Sequence, residues 1–198
     1  MSFFEYSMRT TLPTGIGLSL PEDFAWSRQR PEQTPLPGVE VAEQARRWVD
    51  LMVTNSPGLY LYSEAVVHMV QEEGFGGIEF FAVEVARVES KHLRAQTPWP
   101  RYYVGRVTGR IGAIVANEMG GEPLRVDEQT GLYQFSKLGG LEYYQLQPES
   151  WDGSDFMHVS TVYTAHRLCT ARVKAAVEQR KLRNFNFYSE REPNVLLM

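Results

Sequence analysis

The sequence predicts an α+β protein, mostly antiparallel sheet with a few amphipathic helices and two similar strand-helix-strand units. Three observations carry that expectation. First, LYSEAVVHMVQEEGFGGIEFF (61–81) returns 107 positions later, without a gap, as LCTARVKAAVEQRKLRNFNFY (168–188). Leu falls on Leu, Ser63 on Thr170, Val66 on Val173, Val70 on Val177, Phe75 on Leu182, Ile78 on Phe185 and Phe80 on Phe187. Second, apolar residues repeat at three- and four-residue spacing in a few stretches, each closed by turn residues. Third, runs of apolar and polar residues alternate with a period of two, the mark of half-buried strands.

Residues 1–38 hold five of the eleven prolines. Proline removes a backbone donor and turns its predecessor away from helix. The segment therefore reads as extended and irregular, laid over the body by Phe3, Phe4, Phe24 and Trp26, with 27–38 as a surface loop. The remainder, 39–198, reads as a single α+β domain carrying the repeat. VEVAEQARRWVDLMVT (39–54) predicts the first helix, with Val41, Ala45, Trp48, Val49, Met52 and Val53 on one face and a turn at 55–58 to end it.

The first copy of the repeat follows. GLYLY (58–62) is a strand, and Ser63 stands where an N-cap hydroxyl accepts from an unpaired amide. A helix over 64–73 buries Val66, Val67, Met69 and Val70, and Gly74 supplies the left-handed stop. IEFFAVEVARV (78–88) is the next strand, with 100–117 pairing back on it. Further strands are expected at 131–136, 141–147 (after a turn at 137–140) and 154–165. The second copy sets Thr170 as cap, a helix over 171–181 and a strand at 185–189, and the tail EREPNVLLM docks through its apolar end.

Composition narrows the function. The chain has 198 residues, 43% hydrophobic and 22% charged, enough for a sizeable core and unlike a disordered chain. A net charge of −4 argues against nonspecific nucleic-acid binding, which needs a basic face. A single cysteine excludes an internal disulfide and suits a reducing compartment. Neither a secretory signal nor a membrane-spanning apolar run is visible, so the expectation is a cytoplasmic protein.

Candidate chemistry is sparse. No two of His68, His92, His158 and His166 share the spacing of a zinc site. Asp152, Asp155 and His158 lie close in sequence and would suit a cation, although Asp-Gly-Ser is also ordinary turn chemistry. Cys169 and His166 are three residues apart, which invites a thiolate reading, yet Cys169 aligns with Tyr62 as a filler ahead of a helix. GIGLSL (15–20) and GFGG (74–77) lack the context of phosphate loops. No catalytic residue, cofactor or metal is therefore assigned.

Two surface features stand out instead. Between His166 and Arg183 the chain carries a local charge of +5 against −9 for the rest, with Arg172, Lys174, Arg180 and Lys181 on or beside the second helix. A solvated helix face explains such a run as well as a docking surface does. Trp99 and Trp151 sit in turn-rich stretches, where tryptophans either anchor partners or cap a core.

LYLYSEAVVHMVQEEGFGGIEFFAV, with RYYVGRVTGRIGAIVANE and HVSTVYTAHRLCTARVKAAVEQRKLRNFNFY, resembles immunity proteins of bacterial polymorphic-toxin systems. The groups it is similar to are the myxobacterial double-CXXCG proteins and the immunity protein 11 family, over about 58–189. With one cysteine the chain lacks both CXXCG motifs, so no metal role is carried over. The resemblance implies a non-enzymatic α+β protein that binds and neutralises a cognate toxin, possible also as a homodimer. The expected contacts are Trp99, Trp151, Arg172, Lys174, Arg180 and Lys181. The alternatives are a small hydrolase or transferase with a cryptic site, and a sensor of a small ligand or nucleotide.

Overall fold

A computed structural model describes residues 2–8, 16–18, 38–41, 43, 45–53, 60–115, 125–126, 133–134, 144–160 and 167–189. The strands are β1 (Phe3–Met8), β2 (Ile16–Leu18), β3 (Val39–Val41), β4 (Leu51–Val53), β5 (Tyr60–Ser63), β6 (Ile78–Val83), β7 (Val85–Val88), β8 (Tyr102–Val107), β9 (Gly109–Val115), β10 (Arg125–Val126), β11 (Tyr133–Gln134), β12 (Tyr144–Gln147), β13 (Phe156–Val159), β14 (Arg167–Thr170) and β15 (Phe185–Ser189). The helices are α1 (Glu64–Glu73), α2 (Lys91–Arg94) and α3 (Ala171–Gln179). The class is α+β, and most strand pairs are antiparallel; β3 with β7 and β9 with β13 are the parallel ones among the described residues.

The repeat is a repeat of structure. In the first copy β5, α1 and β6 form a strand-helix-strand unit, and β8 lies between β5 and β6, antiparallel to both. In the second copy β14, α3 and β15 do the same, and β1 lies between β14 and β15. Each unit gains an outer strand before it: β4 pairs with β5, Leu51 opposite Tyr62, and β13 pairs with β14, Phe156 opposite Cys169. The sheets run β4-β5-β8-β6 and β12-β9-β13-β14-β1-β15, so the shared order is unmistakable within the larger sheet. Two parallel strands joined by a helix, with a third strand slipped between them, bury one apolar face of the helix on the sheet.

The helices end in the same way. Gly74 (φ 65°) and Lys181 (φ 54°) occupy matching left-handed positions, as do Gly77 (φ 87°) and Asn184 (φ 74°). The Gly74 amide donates to the Gln71 carbonyl and Phe75 to Val70; Lys181 donates to Glu178 and Leu182 to Val177. These are the two bonds of a Schellman closure, formed twice.

The copies pack on each other through one central core. Val66, Met69, Val70 and Phe75 of the first copy meet Val173, Ala176 and Val177 of the second around Tyr6, Tyr62, Phe156 and Cys169. The outer faces of the sheets carry smaller cores, one around Leu61, Val104 and Tyr102, the other around Leu168, Phe3 and Met157. These too correspond, since Leu61 matches Leu168 and Tyr102 matches Phe3 in register.

Several expectations need correction. The stretch 39–54 is not a helix: Val39–Val41 is β3 and Leu51–Val53 is β4. Val41, Ala45, Val49 and Met52 are all buried, so the helical spacing found core positions while the chain reached them by another path. Two β-branched valines flank exposed Glu40 in a strand pattern, and β3 gains a parallel partner in β7. The N-terminal segment is not merely laid over the body, because β1 is an interior strand with Phe3 and Tyr6 buried. The stretch 78–88 breaks into β6 and β7 at Glu84, and 100–117 breaks at Thr108. There the Thr108 and Gly109 amides both donate to the Gly77 carbonyl, and β9 continues into the other sheet. Neither Ser63 nor Thr170 caps its helix through its side chain. The hydroxyl that does so belongs to Ser90, ahead of the short α2, which the sequence did not announce. Phe24, Trp26, the turns at 55–58 and 137–140, and the tail lie outside the described residues.

Candidate partner-binding surface

The hydroxyls of Ser63 and Thr170 turn toward two aspartates. Ser63 donates to Asp50 Oδ1 at 2.6 Å, and Thr170 donates to Asp155 Oδ1 at 2.8 Å. The other carboxylate oxygens accept from the opposite copy: Asp50 Oδ2 from the Arg183 amide at 2.6 Å, Asp155 Oδ2 from the Gly76 amide at 3.4 Å. Arg183 and Gly76 are themselves 107 positions apart, so each copy's aspartate grips the other copy's helix-strand turn. Arg180, the counterpart of Glu73, forks onto Glu72 at 2.6 Å and Glu73 at 2.8 Å. Matching positions that touch each other, and contacts exchanged reciprocally, are the signature of a two-fold pair, here within one chain.

This arrangement accounts for the candidate chemical groups. Asp155 is 7% exposed and is committed to Thr170, Gly76 and, at 3.4 Å, Arg172. Partial desolvation pushes the Asp152 carboxyl up, but the Ser154 and Arg110 amides outweigh it and hold the group below its usual range. His158 is half-buried on β13; burial, then Arg167 and Arg110, push its imidazole below the ordinary value. Asp152, Asp155 and His158 form no ligand group, and no cluster of three metal-ligating side chains exists among the described residues. Cys169 is fully buried in the central core, where burial pushes its thiol up, the opposite of what a thiolate nucleophile requires. His166 lies outside the described residues.

The tryptophans are half-buried against the outer cores. Trp99 packs on the cluster of Leu61 and Tyr102. Trp151 donates from Nε1 to the Ser154 carbonyl at 2.8 Å and meets Phe3 edge to face with centroids 5.5 Å apart.

The basic residues separate into three situations. Arg172 lies 5.1 Å over the Phe75 ring and against Asp155, and Arg180 is spent on the two glutamates of α1. Lys174 sits 4.4 Å over the Phe4 ring and 4.0 Å from Glu178. Lys181 is exposed and forms no ion pair among the described residues. Lys174 and Lys181 flank an open groove of about 310 Å³ between α3 and β15. Its floor is Val177, Leu182, Phe185 and Phe187, the two phenylalanine rings stacked 6.0 Å apart. The phenylalanines stand two residues apart on one strand face, a spacing that reads in the sequence only as core.

The sequence matches no model of a known protein family and no curated protein.

Proposed function

We propose that the chain is an immunity-type protein that acts by binding: it occludes a cognate bacterial toxin in the cytoplasm, without catalysis or cofactor. The observation that supports this reading is the groove of the second copy, where Lys174, Lys181 and two stacked, part-buried phenylalanine rings line an opening between α3 and β15. Interface cores favour aromatic anchors with a charged rim, and such a surface needs only complementarity to block an active site. The buried Asp155 and Cys169 serve the interior, so the outer surface is the place for recognition. Arg172 and Arg180 support the frame through their ion pairs, while Trp99 and Trp151 pack on the outer cores away from the groove lining.

The test is co-expression with the product of the neighbouring gene. The two should co-purify at a fixed ratio, and the chain should restore growth of cells expressing that product. A neighbouring product that is neither retained nor neutralised would remove the support for this reading.

A further inference from the structure

The two copies serve as controls for each other. At matching positions the first copy has Val67, Gly74 and Glu79 where the second has Lys174, Lys181 and Asn186. Each of the three changes moves the surface toward positive charge; Glu178 in place of Gln71 is the one lining change in the other direction, 62% exposed and 4.0 Å from Lys174, a solvated pair that a bound carboxylate can exchange. The shared scaffold does not require the lysines. In the first copy Val67 is 5% exposed, folded into the core.

Lys181 is the more telling of the pair. It holds φ 54° at the residue that closes the helix, where its counterpart Gly74 holds φ 65°. A side chain there crowds its own carbonyl, which is why glycine is the usual occupant. A lysine retained in a left-handed site against that cost, on the lip of a groove, points to use of its charge.

The groove borders β15, and no described strand pairs with the outer edge of β15. A strand edge unpaired among the described residues is a template for an added strand, whose alternate side chains then fall beside those of its neighbour. Lys174 lies on α3 and Lys181 two residues past its end, about 10 Å further on, so the two charges are spaced along the groove. On an extended segment, positions i and i+4 are about 13 Å apart, within reach of two flexible lysines, while position i+2 falls between them over Phe187.

We infer that the groove takes an extended acidic segment of the protein partner as a further strand on β15, with carboxylates at i and i+4 on Lys181 and Lys174 and an apolar side chain at i+2 on the phenylalanine floor. This rests on the partner-binding reading above. The probe is the capped pentapeptide Glu-Thr-Leu-Thr-Glu, titrated into the ¹⁵N-labelled full chain, with Lys-Thr-Leu-Thr-Lys and inorganic phosphate as controls. The expected result is saturable shifts confined to 174–187, including β15 amides, and an affinity at least tenfold weaker in the Lys174→Val/Lys181→Gly variant. Both replacements are residues the sister copy already carries, and a melting curve checks that the variant folds. Equal shifts with the basic peptide or with phosphate, or binding unchanged in the variant, would overturn the inference. A variant that still retains the toxin as wild type does would also overturn it and leave the partner reading standing. A wild-type chain that retains no toxin would sink that reading alone, because the peptide titration still reports on the groove.

Discussion

Tyr6 and Tyr62 show how two copies of one unit share a single core. Tyr62 of the first copy matches Cys169 of the second, and Gly105 of the first matches Tyr6 of the second. A Cβ at Gly105 would fall on the Tyr62 ring, so the bulk has been traded between positions. One copy pairs large with none, the other small with large. The two hydroxyls meet at 2.9 Å, and burial pushes both phenols up, so each group stays a neutral donor-acceptor. Replacing Tyr6 or Tyr62 singly by Phe leaves a buried hydroxyl without its partner and should cost about 1–3 kcal/mol. The double variant should recover much of that loss; a double-mutant cycle in urea with additive costs would contradict the pairing. At Lys181 the expectation has the other sign. Lys181→Gly relieves a left-handed side chain and should raise stability by about 1 kcal/mol, so an unchanged or lower melting point would refute the strain.

His158 gives the pH dependence at the same scale. Burial holds its folded pKa below the ordinary value of about 6.5, so the unfolded chain binds the proton more readily. The contribution is complete above about pH 6.5 and is lost as the pH falls from there through the folded pKa. Melting points taken from pH 7.5 to 5.5 should therefore fall, and fall less steeply in His158→Gln. Parallel slopes for the two proteins would count against this role. Little of the residue scale was legible in advance. Apolar matches between the copies were visible, but the aspartates that use Ser63 and Thr170 each stand just ahead of an earlier strand, β4 or β13, outside 61–81 and 168–188.

At the scale of elements, α1, β15 and all but the end of the expected 171–181 helix were legible because the signal is local, whereas 78–88 proved to be two strands and β14 was not expected at 167–170. An amphipathic run ending in a turn residue fixes its own boundaries, and the expected 64–73 and 185–189 are the observed spans. The stretch 39–54 misled for a physical reason. Val41, Ala45, Val49 and Met52 all reach the core, yet β3 is held by β7, far along the chain, and β4 by β5, the next strand beyond the segment. The pairing of β1 was likewise invisible, since nothing local says that a strand at the N-terminus completes a unit whose helix begins at Ala171. What joins the elements is the exchange of turns. Asp50→Ala and Asp155→Ala each remove a carboxylate that bridges its own hydroxyl and the other copy's amide. Asp155→Ala, which removes the acceptor of a buried hydroxyl, should cost about 1.5–3 kcal/mol, and Asp50→Ala, whose bonds are part-buried and exposed, about 1 kcal/mol. Chemical denaturation measures both, and losses under about 0.5 kcal/mol, the level of an unremarkable surface change, would show that the turns are held by packing alone.

The whole molecule then reads as one paired body. Its interior repeats, from the shared strand order to the left-handed positions, while its exterior does not: α1 presents Glu72 and Glu73, and α3 presents Lys174, with Arg180 at its end. Some of that asymmetry is consumed in holding the copies together, as Arg180 on its two glutamates shows. The rest lies along the groove of α3 and β15, where recognition is proposed. The sequence disclosed the duplication and the charge difference, but not that the two copies face each other, because the central core is made of residues that either copy alone would also bury. No helix is long and apolar enough to cross a membrane among the described residues.

A frame that offers a groove from one copy must be held rigid by the other, so α1 and α3 should open only together. Native-state hydrogen exchange in rising urea, followed at amides of Val66–Val70 and Val173–Val177, reads this directly. Both helices should converge on one opening free energy equal to that of global unfolding, and Asp155→Ala should lower both by the same amount. If α3 exchanged through a separate, lower-energy opening while α1 stayed protected, the copies would be independent and the account of a single paired body would be wrong.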